Sequence, residues 1–233
     1  MHRFFCYLGA ATRSVFLFHK AEGSRNGVIL ADEMGLGKSI QVILFLHFMI
    51  MNTHKWKNAL LVMPAGLLSD WKGKLENWTP DITVLIYQNS DKELLSKLRR
   101  LQKTGGILLV SYKMFIYHHE TLTTYKGMPF IWDCLVFDEA HRLKNPATKN
   151  HKVAASISAG FHILVTGTPI QNNLKEYWSL RIPVYFSVFE WYCISVWTGI
   201  FLKTLLLWTD IFKNGDKNRV FKNTRVLPKY PEL

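Results

Sequence analysis

The sequence predicts an α/β fold, a mainly parallel central sheet flanked by helices, and three observations predict it. Between Gly27 and Leu180, short apolar runs rich in Val, Ile and Leu alternate with longer polar or amphipathic stretches, the pattern of successive strand and helix units. The runs are apolar at nearly every position rather than at every second one, as strands buried on both faces require. A glycine-rich string then sits directly between the first run and the first amphipathic stretch. The runs place strands over 28–31, 59–63, 83–87, 106–111, 134–137 and 162–165. A helix over 39–51 follows the glycine turn, and a second over 67–77 carries Trp71 and borders Trp78. A third spans 92–102, where Leu94, Leu95, Leu98 and Leu101 recur at helical spacing and form a core-facing stripe.

Composition bounds the function. With 48% hydrophobic and 14% aromatic residues, the 233-residue chain has ample material for a core, which excludes disorder of the whole chain. Lys and Arg number 29 against 17 for Asp and Glu, a net charge of +12, which suits a polyanionic partner. The lysines and arginines are scattered, so the charge permits such a partner without identifying it. Cys6, Cys134 and Cys193 are odd in number and far apart, which supports neither a disulfide framework nor a zinc module and fits a reducing compartment. His118, His119 and the remaining histidines lack metal-ligand spacing.

Three segments follow. Residues 1–26 read as a worn first helix, since Gly9, Thr12, Arg13 and Ser14 break the apolar run that a signal peptide needs. Asn77-Trp78-Thr79 is accordingly a chance glycosylation match. Residues 27–180 form the α/β domain. Residues 181–233 change character: 181–212 is dense in aromatic residues with little period, and 213–233 is polar, basic and closed by proline. Pro183, Glu190 and Lys203 interrupt the apolar part, so the expectation is an exposed or back-folded tail and no membrane partner.

Chemistry concentrates in two strings. In Asp32-Glu33-Met34-Gly35-Leu36-Gly37-Lys38-Ser39 a strand gives way to a helix, the setting of a phosphate-binding loop. Gly35 and Gly37 let backbone N–H groups close around phosphate oxygens. Lys38 reaches the β- and γ-phosphates, and the Ser39 hydroxyl ligates Mg²⁺. Asp32 stands where the generic loop has its first glycine, and the short string by itself also fits an ordinary turn. The second string, Leu135-Val136-Phe137-Asp138-Glu139-Ala140-His141, is an apolar strand ending in two carboxylates, at the edge where parallel sheets bind ligands. Asp138 is the candidate Mg²⁺ ligand, usually through water. Glu139 is the candidate for orienting and polarising a water that attacks the γ-phosphate.

These strings, with Thr166-Gly167-Thr168-Pro169 behind the next strand, resemble the helicase-like ATPases of superfamily two and, within them, the Swi/Snf-type DNA translocases. In that family an aspartate at the Asp32 position is normal, Asp138-Glu139-Ala140-His141 is the DEAH box, and the stretch from Thr166 to Asn173 is the third motif. Glu76-Asn77-Trp78-Thr79-Pro80, Phe130-Ile131-Trp132-Asp133 and the stretch from Thr168 to Leu174 look most like the ERCC-6-like branch. The resemblance covers about 15–180 and implies a P-loop NTPase fold, specifically the first RecA-like lobe. It implies ATP and Mg²⁺ as cofactors and double-stranded DNA as partner, with DNA repair or mitotic chromosome work in the nucleus and chromatin or mitotic kinase partners; chromosomal or cytoplasmic placement is compatible with it. It also implies that Pro64 to Trp71, Ser111 and Tyr112 lie along the DNA backbone, although Trp71 and Tyr112 equally suit core packing. His141 is then the link from the hydrolysis site to Gln171 and the hydroxyls of Thr166 and Thr168.

Two family features have no counterpart in the sequence. Residues 1–26 contain no glutamine to recognise adenine, and no Gln-x-x-Gly-Arg-x-x-Arg run supplies the second lobe's arginine finger, worth about 10³ to 10⁵ in rate. The sequence therefore predicts the nucleotide lobe of an ATP-dependent double-stranded DNA translocase that hydrolyses slowly alone, with 181–233 a spliced or misassigned end. The alternative is a catalytically silent isoform that binds nucleotide, DNA or a protein partner.

Overall fold

The computed structural model of the chain describes Leu17, Ala21 and residues 27–31, 35–88 and 92–167, together with the backbone of 193–194. The chain divides into two compact units, Met1–Ile194 and Ser195–Leu233, and every described residue belongs to the first. Strand β1 (Gly27–Leu30) precedes helix α1 (Lys38–His47), which runs on as a π-helical turn, Phe48–Asn52. Next come β2 (Asn58–Met63), a 3₁₀ turn (Ala65–Leu67), α2 (Leu68–Trp78), β3 (Val84–Tyr87), α3 (Lys92–Thr104) and β4 (Gly106–Ser111). Helix α4 (Tyr112–Leu122) and a small hairpin, β5 (Thr124–Tyr125) and β6 (Met128–Pro129), lead to β7 (Trp132–Phe137). A 3₁₀ turn (Ala140–Leu143), α5 (Lys149–Ser156), β8 (Ala159–Val165) and β9 (Cys193–Ile194) complete the order.

Seven strands form one sheet in the order β3-β4-β2-β7-β8-β1-β9, every pair parallel. Because side chains alternate across a strand, each strand feeds both faces. Leu61, Leu109, Val136 and Ile163 pack with α1 and α2 through Val42, Phe45, Leu68 and Trp71. Leu60, Leu108, Leu135 and Leu164 face the other way, onto Leu98 and Leu101 of α3, Phe115 of α4 and Ala154 of α5. The result is a three-layer α/β unit, the predicted fold class, whose one sheet edge collects the carboxyl ends of the strands.

All six predicted strands are present, and the three predicted helices correspond to α1 with its π turn, α2 and α3. Helix α4 was not predicted: Phe115, Ile116 and Tyr117 favour strands, and His118 at φ −122° kinks the helix. The hairpin was also missed. Its turn holds Lys126 at φ 51° and Gly127 at φ 78°, the two left-handed positions of a two-residue type I′ loop. Among the described residues no helix is long and apolar enough to cross a membrane, and no group of three or more His, Cys, Asp or Glu is placed to hold a metal ion.

Candidate functional site

Five chain segments meet at the carboxyl edge of the sheet. The glycine turn leaves β1, Pro64 leaves β2, Ser111 and Tyr112 leave β4, and Asp138 leaves β7, with Thr166 and Gly167 leaving β8 between β7 and β1. The two strings that lie a hundred positions apart in sequence thus share one edge because their strands flank β8.

The turn before α1 is open. Gly35 has φ 85° and Gly37, the N-cap of α1, has φ 74°, and a Cβ at either meets nothing within 4 Å among the described residues. The N-cap residue makes no side-chain hydrogen bond and no acidic residue lies in the first turn of α1. Lys38 stands at this helix start, at the positive end of the helix dipole, where an arriving anion is favoured. Gln41, 1% exposed, braces the turn by donating from Nε2 to the Leu36 carbonyl at 3.2 Å. Asp32, Glu33 and Met34 lie outside the described residues.

Asp138 is firmly held. It is 9% exposed; its Oδ2 accepts from the Trp71 indole N–H at 2.8 Å and its Oδ1 from the Glu139 backbone N–H at 3.0 Å. Its own N–H donates to Val62 O at 2.8 Å, extending the β2–β7 ladder, and its carbonyl accepts from the Tyr112 hydroxyl at 2.9 Å. Trp71 arrives from the α1/α2 layer and Tyr112 from the opposite one, so Asp138 is held from both sides of the sheet. Burial pushes the Asp138 carboxyl above its ordinary pKa and the Glu139 charge adds to this, while the Trp71 and Glu139 hydrogen bonds and the Lys38 charge pull it down.

Glu139 occupies the left-handed region at φ 53° and ψ 48°, a conformation costly for a non-glycine residue and common at functional sites. Its Oε2 lies 3.0 Å from Nδ1 of His141, near enough for an ion pair when the ring is protonated but off the alignment of a hydrogen bond. Thr166 is buried and its N–H donates to Leu30 O at 3.0 Å; Thr168 and Gln171 lie outside the described residues.

The segments expected along DNA separate into two kinds. Pro64 is half-buried and starts a turn whose Ala65 and Gly66 are exposed. Trp71 and Tyr112 are core residues at 1% and 4% exposure, with Tyr112 stacked on Phe137 and the Arg142 guanidinium 5.7 Å from its ring centre. Both side chains pack among core residues. Ser111 is buried too, its hydroxyl capping α4 by accepting from Met114 N at 3.3 Å. Sequence reasoning missed the Trp71 bond to Asp138, although Leu68 and Leu75, three before and four after it, already put Trp71 on the buried face of α2.

The donor set suits a nucleotide with Mg²⁺. The helix start and Lys38 supply positive charge, and the Ser39 hydroxyl and Asp138 carboxylate are hard oxygen ligands.

Comparison with known proteins agrees with this geometry. The profile of the SNF2-related domain matches residues 12–201. DNA excision repair protein ERCC-6-like is 40% identical over 166 residues in Homo sapiens, 71% of this chain and 13% of that protein. Its Danio rerio counterpart is 42% identical over 166 residues, 71% of this chain and 11% of that protein. Chromodomain-helicase-DNA-binding protein 1-like of Mus musculus is 38% identical over 163 residues, 69% of this chain and 17% of that protein. The solved Sulfolobus solfataricus SWI2/SNF2 ATPase core in complex with dsDNA superposes with a TM-score of 0.64 and 25% identity, covering 75% of this chain and 34% of that one. The chain therefore spans about an eighth of the ERCC-6-like relatives it matches. Its described residues form one RecA-like lobe, and the chain belongs to the SNF2-related domain family.

Proposed function

We propose that this lobe binds ATP with Mg²⁺ and serves an ATP-dependent double-stranded DNA translocase that works in the nucleus, in DNA repair or on chromosomes. The observation that carries the reading is that the Gly37-Lys38-Ser39 helix start and Asp138 lie at the same edge of the sheet, following strands that flank β8. In this reading the backbone N–H groups from Gly35 to Ser39 wrap the phosphates and Lys38 bridges to the terminal ones. Ser39 and Asp138 hold the divalent cation, which when bound neutralises charge developing on the phosphate oxygens. Glu139, carried forward by its left-handed backbone, orients the attacking water, and His141 beside it is placed to answer to its charge.

For DNA, the bound duplex of the solved SWI2/SNF2 core and the exposed turn at Ala65 and Gly66 support phosphate contacts from the segment after Pro64, through backbone amides that position the duplex without reading bases. The net charge of +12 favours such contacts and makes them salt-dependent. Coupling through Thr166, Thr168 and Gln171 belongs to the same proposal.

The test is ATP affinity of the purified chain with and without Mg²⁺. Lys38→Ala is expected to weaken binding about tenfold or more in both conditions, and Asp138→Ala only with Mg²⁺. Equal affinity of both variants and the wild type under all conditions contradicts the site.

A further inference from the structure

We propose that Trp71 is a positioning residue for the cation-binding carboxylate of Asp138, fixing its plane through a donor that leaves its negative charge intact. The inference rests on the nucleotide-site reading above and adds to it a residue from a different element and layer.

The χ2 torsion of aspartate is broad and nearly two-fold, so the rotamer alone does not fix where the carboxylate oxygens point. Here each oxygen has its own donor: the Trp71 indole N–H holds Oδ2 at 2.8 Å and the Glu139 N–H holds Oδ1 at 3.0 Å. A carboxylate offers about four acceptor positions, so two remain for a cation or its water shell. The indole N–H donates only and carries no charge. A lysine or arginine in its place would neutralise the carboxylate, and a histidine would compete for the cation. Trp71 is itself immobilised, 1% exposed, with Leu68 and Leu75 on the same buried face of α2. From the opposite layer the Tyr112 hydroxyl fixes the Asp138 backbone through its carbonyl at 2.9 Å. Side chain and main chain of one residue are thus gripped by the two helical layers independently.

The experiment measures ATP affinity by calorimetry in EDTA and in saturating Mg²⁺, for the wild type, Trp71→Phe, and a chain with benzothienylalanine at position 71, which keeps the ring shape but replaces N–H by sulfur. Loss of a hydrogen bond to a charged group predicts about a tenfold loss of affinity in Mg²⁺. Affinity in EDTA stays within about twofold, which also shows that the fold is intact. The benzothienyl chain reports even if phenylalanine leaves too large a void. A second readout is tryptophan emission: Mg²⁺ added to the ATP complex changes it in the wild type, and the change disappears in Trp71→Phe. Equal losses in EDTA and Mg²⁺, or no loss in either, overturn the role of Trp71. Asp138→Ala run alongside separates the two readings: if it too leaves Mg²⁺-dependent affinity unchanged, the cation site itself is wrong.

Discussion

The Trp71 indole donates to Asp138 Oδ2 at 2.8 Å across 67 positions of sequence, and both groups are buried. A buried carboxylate stripped of a donor bears the desolvation cost of the lost bond, so Trp71→Phe is expected to destabilise the fold by about 1–3 kcal/mol, with lost ring volume adding to it. Urea unfolding at neutral pH checks this; a change within about 0.5 kcal/mol contradicts the bond's importance.

The pKa of Asp138 gives stability a definite pH sign. Its folded value lies above the ordinary one, chiefly through burial, so in the interval between the two the folded chain holds more protons than the unfolded chain. This contribution is full below the ordinary carboxylate value and is lost as pH rises through the raised one. Urea unfolding of wild type and Asp138→Asn across that interval isolates it. The wild type is expected to lose stability relative to the variant as pH rises, and a flat difference contradicts the shift.

Gly37 at φ 74° has open space around its missing Cβ among the described residues, so Gly37→Ala meets no clash with them and brings backbone strain. The expected stability loss is about 1–2 kcal/mol, from a non-glycine residue held left-handed. ATP affinity should fall by more than tenfold, because the strained turn no longer presents its N–H groups. Thermal unfolding and calorimetry together decide; lost stability with unchanged affinity sinks the cradle assignment.

Asp133, at the opposite edge of the sheet, is the complementary case. Its Oδ2 accepts from the backbone N–H groups of Lys57 at 2.7 Å and Asn58 at 2.9 Å, tying the start of β2 to β7. Asp133→Ala is expected to cost about 1–3 kcal/mol of stability while leaving ATP affinity within about twofold. A large affinity loss in a folded variant would show that the two edges are not independent.

The parallel sheet was legible because doubly buried strands write nearly unbroken apolar runs, as 106–111 does with every residue of β4 buried. The glycine turn was legible because Gly35 and Gly37 stand between an apolar run and an amphipathic stretch, and both adopt positive φ. Helix α4 was not, since its aromatic and β-branched residues carry the wrong propensity and tertiary contacts with the sheet override it. The grip on Asp138 was half legible: helical spacing put Trp71 among core residues, but no periodicity tells which buried acceptor an indole will find. The acidic box marked Asp138 and Glu139, yet not the left-handed backbone of Glu139.

The account's central claim is that Lys38 and Asp138 act on the same bound triphosphate. A double-mutant cycle on Mg²⁺-dependent ATP affinity, with Lys38→Ala, Asp138→Ala and the double variant, measures that directly. The predicted result is a coupling of about 1–2 kcal/mol, the double variant losing much less than the sum of the singles. Losses that add to within about 0.5 kcal/mol would mean that the two side chains serve separate ligands, and would contradict it.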